Sequence, residues 1–132
     1  MSDSGNVELV KRYLAAIQRF DLAVVGECLS ATAEQIERPN RLYPNGQART
    51  RDDMLRDLPR GAQMLRSQSY PIHTIFGVGD MVTVETRWEG IIAVPLGAMR
   101  PGDAMVAHIC MVFTLAEGKI VRQVNYDCYE PF

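Results

Sequence analysis

Phe113-Thr-Leu-Ala-Glu-Gly-Lys-Ile-Val-Arg-Gln-Val-Asn-Tyr-Asp-Cys-Tyr-Glu-Pro-Phe132 is the stretch whose reading decides the fold. The turn pair Glu117-Gly118 separates two runs of alternating apolar and polar residues, the pattern of a β-hairpin. Side chains alternate along a strand, so Ile120, Val124 and Cys128 share one side and Gln123, Asn125, Asp127 and Tyr129 the other. Turned inward, the second row lines a cavity with hydrogen-bonding groups; turned outward, it is a wet surface.

Upstream of this hairpin the same alternation continues back to about residue 68, broken by turn signals at Gly77-Val-Gly-Asp80 and over residues 96–103. Four strands are expected, over residues 69–76, 81–94, 104–115 and 119–129. Before residue 68 the period is helical. Val7, Val10, Leu14 and Ile17 recur at helical spacing, with Asn6 as the expected N-cap and Tyr13 on the apolar side. Asp21 is a plausible cap for a second short helix ending at Leu29, and Thr50-Arg-Asp-Asp53 has the form of a capping box opening a third, which Pro59 bends or ends. Between them lie a short extended piece, residues 34–37, and a loop with a tight turn at Asn45-Gly46. Helices followed by a run of antiparallel strands predict an α+β domain spanning residues 1–132, a cone-shaped barrel with three N-terminal helices closing a strongly curved, mainly antiparallel sheet.

Composition bounds the function. With 47% hydrophobic and 23% charged residues and a net charge of -2, the chain offers no basic field for nucleic acid or anionic lipid. No apolar run approaches a membrane span, and Met-Ser-Asp-Ser-Gly-Asn lacks the features of a secretory signal, so the expected location is the cytoplasm. Cys28, Cys110 and Cys128 are odd in number and outside any metal-binding spacing, which argues against both a disulfide framework and a zinc site. No glycine-rich loop precedes a helix, so no nucleotide phosphate cradle is expected, and no cofactor of any kind.

Local words in the sequence converge on a family. Lys11-Arg-Tyr-Leu-Ala-Ala-Ile17, followed by Asp21 and an extended Glu-x-Pro ending at Pro39, resembles the opening of ketosteroid isomerases. Phe113-x-Leu-x-Glu-Gly-Lys-Ile120 with Asn125-Tyr126 resembles limonene-1,2-epoxide hydrolases. Both belong to the nuclear transport factor 2-like superfamily, with the SnoaL-like polyketide cyclases, and the order of elements is similar over nearly the whole chain. The isomerase resemblance implies Tyr13 as an oxyanion donor and Glu37 as a carboxylate base. Val106-Ala-His-Ile-Cys-Met111 carries no counterpart of that family's protonated second acid. The hydrolase resemblance selects Arg87-Trp88-Glu89 in place of an Arg-x-Asp, and Asn125 where a second aspartate would stand. It also turns the face carrying Asn125 and Asp127 toward the cavity.

The candidate catalytic set is therefore Tyr13, Glu37, Asn125 and Asp127, with Arg87, Trp88, Glu89, His73 and Gln123 as candidate substrate contacts. Each has a structural alternative. Tyr13 fits a core position on an amphipathic helix, Glu37 a loop ion pair with Arg38, and Glu85, Arg87 and Glu89 the solvated stripe of a half-buried strand. His108 reads as a core histidine, and Met105 and Met111 as packing beside Met99. The strand over residues 104–113 is apolar on both sides, so its convex face is expected to meet a second copy in a homodimer. The expected activity is cofactor-free acid/base chemistry (isomerase, cyclase, lyase or epoxide hydrolase) on a small apolar carbonyl compound or epoxide; the alternative is a non-catalytic small-molecule-binding or dimerisation module.

Overall fold

The computed structural model describes residues 3–132. Helix α1 (Asp3–Gln18) and helix α2 (Leu22–Cys28) lead into strand β1 (Leu29–Glu37) and strand β2 (Gln47–Thr50). Helix α3 (Arg51–Met64) follows, then β3 (Leu65–Ser69), β4 (Ile72–Val78), β5 (Met81–Ile92), β6 (Ala104–Ala116) and β7 (Lys119–Tyr129). The strands form one sheet in the order β2-β1-β7-β6-β5-β3, with β4 also on β5. Every pairing is antiparallel except β1 with β7, which run parallel. This is the expected α+β architecture: three helices, then a strongly curved, mainly antiparallel sheet.

The local signals explain most boundaries. The Asp21 carboxylate accepts from the Val24 amide at the start of α2. Thr50 and Asp53 form the reciprocal capping box of α3, the Thr50 hydroxyl accepting from the Asp53 N–H and the Asp53 carboxylate from the Thr50 N–H. Pro59 lies inside α3 without ending it, and the helix continues to Met64. Asn6 is not a cap: α1 starts earlier, and the buried Asn6 amide donates to the Gly79 carbonyl at the β4–β5 turn. Gly46, at φ +73°, makes the turn into β2, with its amide bonded to the Tyr43 carbonyl. Strand β3 lay outside the expected elements, because Leu-Arg-Ser-Gln-Ser lacks the β-branched and aromatic residues that mark a strand.

One irregularity resets the last hairpin. Thr114 pairs with Arg122 but Leu115 with Ile120, so Val121 is an extra residue, a β-bulge. The bulge turns Ile120 to the inner face, fully buried beside Leu115, rather than to the side of Val124 and Cys128 that uninterrupted alternation gives. Beyond it the alternation holds to Tyr129, with Gln123, Asn125, Asp127 and Tyr129 all on the concave side. The core fills the space between that side and the helices, centred on Val10, Tyr13, Val84, Met111 and Phe113. Among the described residues, no helix is long and apolar enough to cross a membrane.

Because the capping box starts the helix that covers the cavity mouth, Thr50→Ala should lower stability by about 1 kcal/mol. Urea unfolding measures this, and an unchanged midpoint would show that tertiary packing alone holds α3.

Candidate active site

The concave face of the sheet and the three helices enclose a cavity of about 220 Å³. Its walls are apolar: Leu14 and Ile17 from α1, Val25 from α2, Met54 and Leu58 from α3, Trp88 from β5 and Ile109 from β6. Phe20 joins them from the end of α1, where it holds a left-handed φ of 56° that glycine usually takes at a helix C-terminus. Trp88 lies over Gly90, where a Cβ would come within 2.6 Å of the indole, and its Nε1 donates to Gln68 at 2.9 Å. Gln68 in turn donates to the Ile17 carbonyl, fixing β3 against α1.

The floor is polar and comes from two parallel neighbours. In the β1–β7 register Gln35 sits beside Gln123 and Glu37 beside Asn125, which sets their side chains in two adjoining rows on the inner face. The Tyr13 hydroxyl donates to Gln123 Oε1 at 2.7 Å, and Gln35 Nε2 donates to the same oxygen at 3.1 Å. Gln123 Nε2 donates to Asn125 Oδ1 at 2.9 Å and to the Met111 sulfur at 3.6 Å. Arg49, on β2 opposite Gln35, also lines the cavity. Its guanidinium pairs with Glu37 and, at 3.5 Å, with Asp57 of α3, and its side chain is only 18% exposed.

Asp127 differs from the other carboxylates. Burial, and then the negative charge of Glu37, push its pKa from 3.8 up to about 7, against a smaller opposing effect of Arg49. Its Oδ1 is buried with no hydrogen-bond partner. A carboxyl that changes charge near neutrality and keeps an unpaired oxygen is chemically able to accept or deliver a proton. Tyr70 and Tyr129 line the same region, and burial first, with the Asp127 charge second, raises both phenols above their ordinary value. They stay protonated throughout the range in which Asp127 titrates. Burial raises the Tyr13 phenol likewise.

The structure thus brings Tyr13, Glu37, Trp88, Gln123, Asn125 and Asp127 to one cavity. Glu37 pairs with Arg49 rather than Arg38. Three expected contacts lie elsewhere. Arg87 and Glu89 alternate with the inward Thr86 and Trp88, so they emerge on the convex face, where they pair with each other at 3.0 Å. His73 is exposed on β4, away from the lining. His108 is not a core histidine: it is exposed on the same outer face, bonded to Glu130 at 2.8 Å. Arg49, Gln35 and Tyr70 were missed. Alternation from Glu37 marks Gln35, whereas Arg49 and Tyr70 enter through a hairpin and a strand connection that carry no such pattern. Among the described residues, no group of three His, Cys, Asp or Glu side chains is placed to hold a metal.

A family model described as a SnoaL-like domain matches residues 10–123, and the chain belongs to that family. Its fold is like that of solved nuclear transport factor 2-like proteins. Among solved structures, it is similar to IdmH of Streptomyces antibioticus, a candidate polyketide cyclase, with 16% identity, a TM-score of 0.79 and coverage of 92% of this chain and 91% of that one. It is similar also to an epoxide hydrolase of the LEH-like type from M. tuberculosis, with 21% identity, a TM-score of 0.73 and coverage of 97% and 84%. An NTF2-like protein of Burkholderia xenovorans gives 21%, 0.76, and 96% and 92%. At these identities the likeness establishes the fold. No curated protein matches the sequence significantly.

The raised Asp127 pKa fixes the sign of a pH effect. Protonated Asp127 is favoured by the fold, so its contribution to stability is full below the unfolded value near 3.8 and is lost as pH rises through about 7. Chemical denaturation from pH 4 to 8 should show wild type losing stability relative to Asp127→Asn, by at most about 4 kcal/mol. Parallel curves for the two proteins would contradict the assignment.

Proposed function

We propose that the protein is a cofactor-independent acid/base enzyme acting on a small, largely apolar carbonyl compound. The observation that carries this reading is Asp127, a buried carboxyl with a pKa of about 7 and an unpaired oxygen, set in a cavity with apolar walls. Asp127 takes a proton from the carbon next to the substrate carbonyl, and the C–H electron pair moves to form an enolate. The Asn125 amide stabilises the negative oxygen, and Asp127 returns the proton to the same or another carbon. Such a step serves an isomerase, a cyclase or a lyase.

Glu37 is held by Arg49, so it acts on the charge state of Asp127 rather than as the base. The hydrolase scheme through Arg87 and Glu89 has no support, since both side chains face outward. A cavity of about 220 Å³ lies below the roughly 300–1,000 Å³ of sites for drug-sized ligands, which favours a substrate of one or two rings.

The test follows deuterium uptake from heavy water into the α-carbons of small ketones, cyclohexanone first, by mass spectrometry. The expected result is exchange above buffer that falls about 10²-fold or more in Asp127→Asn. Equal exchange by the two proteins would overturn the role of Asp127. Ketone binding, seen as a change in the fluorescence of Trp88, with no exchange would assign the cavity to a non-catalytic binding module.

The convex face supports a second proposal, a homodimer. Tyr126 stands 45% exposed beside the half-buried Val112 and Cys110, on the side of the sheet away from the three described helices. Sedimentation equilibrium should give twice the chain mass for wild type and the single mass for Tyr126→Glu. A monomeric wild type at micromolar concentration would contradict the interface.

A further inference from the structure

Gln123 is 3% exposed, and its amide uses every bonding position it has. A carboxamide offers two lone pairs on oxygen and two hydrogens on nitrogen. Here both lone pairs are filled, by Tyr13 and Gln35, and both hydrogens are given, to Asn125 Oδ1 and to the Met111 sulfur. The orientation is not arbitrary. Turning the amide over would face its oxygen to the Met111 sulfur, which accepts but has no hydrogen to give, and would require the Tyr13 hydroxyl and the Gln35 and Asn125 amides all to turn with it. The bonds therefore run one way, from Tyr13 and Gln35 into Gln123 and from Gln123 to Asn125.

The end of this chain decides what the cavity presents. Asn125 Oδ1 is occupied by Gln123, while Asn125 Nδ2 has no partner among the described residues, and Asn125 lines the cavity. We infer that Gln123 is a positioning residue that turns the Asn125 amide so that its N–H group faces the cavity, selecting substrates that present an oxygen acceptor there, such as a ketone or aldehyde, over groups that can only donate, such as an ammonium. Tyr13, whose hydrogen is committed to Gln123, anchors this chain and does not itself donate to substrate. The inference about Asn125 orientation is independent of turnover; its consequence for catalysis rests on the acid/base reading of Asp127.

Two measurements separate these. A neutron structure of the deuterium-exchanged wild-type protein should show both Asn125 deuterons on the cavity side and the Tyr13 deuteron on the line to Gln123 Oε1. Asn125 deuterons directed at Gln123 would overturn the inference, whether or not the protein turns over a ketone. In Gln123→Met no amide hydrogen reaches Asn125 Oδ1, so Asn125 is no longer held with its N–H group toward the cavity. Saturated deuterium exchange into cyclohexanone should then fall about 10²-fold, the cost of one lost oxyanion donor, while ketone affinity read from Trp88 fluorescence changes less than about threefold. Rate and affinity falling together would mark Gln123 as merely structural. Absent exchange in wild type would remove the acid/base reading and leave the neutron result to decide the orientation.

Discussion

Parallel pairing of β1 with β7 is the contact on which the site depends. It joins a strand near the start of the chain to the last one, and its register sets Gln35 beside Gln123 and Glu37 beside Asn125. Parallel neighbours need a long crossover, and here it contains α3 and the other five strands, so the floor of the cavity forms only when the whole sheet is in place. The β-bulge at Val121 strengthens the local twist and lets Ile120 enter the core while Gln123 still faces the cavity.

That geometry then governs the electrostatics. Glu37 and Asp127 face the same interior, with Arg49 as the cation that pairs with Glu37 and Asp57. Held by Glu37, the guanidinium gives only a minor opposing effect at Asp127, where burial dominates. Two carboxyl groups in one cavity thereby have different surroundings: Glu37 is held in a salt bridge, and Asp127 is poised near neutrality. Three tyrosines whose phenols are raised by burial keep the surroundings polar without adding charge.

Periodicity made much of this legible. The helices, the capping box, Asp21 as a cap and four of the strands follow from local patterns, and the polar row of the last strand identified Gln123, Asn125 and Asp127. Alternation tells which residues share a face but not which face looks inward. On β5 the hydrolase resemblance placed Arg87 and Glu89 in the site together with Trp88, although neighbours in sequence on a strand point to opposite sides and alternation alone reads them as a solvated stripe. The bulge was invisible because a one-residue change of register leaves no mark in composition. Arg49 could not be found for a different reason: its place beside Gln35 is set by the β1–β2 hairpin, and its pairing with Asp57 by the packing of α3.

The central claim is that Asp127 carries the exchangeable proton of a neutral-pH site, and its ionisation is directly observable. The side-chain carboxyl carbon of Asp127, assigned by comparison with Asp127→Asn and followed by carbon NMR across the pH range, should titrate with a midpoint of about 7. A midpoint near the ordinary value of about 4 would contradict the account, because burial and Glu37 would then leave the group unshifted, a weak base that does not hold a proton near neutral pH.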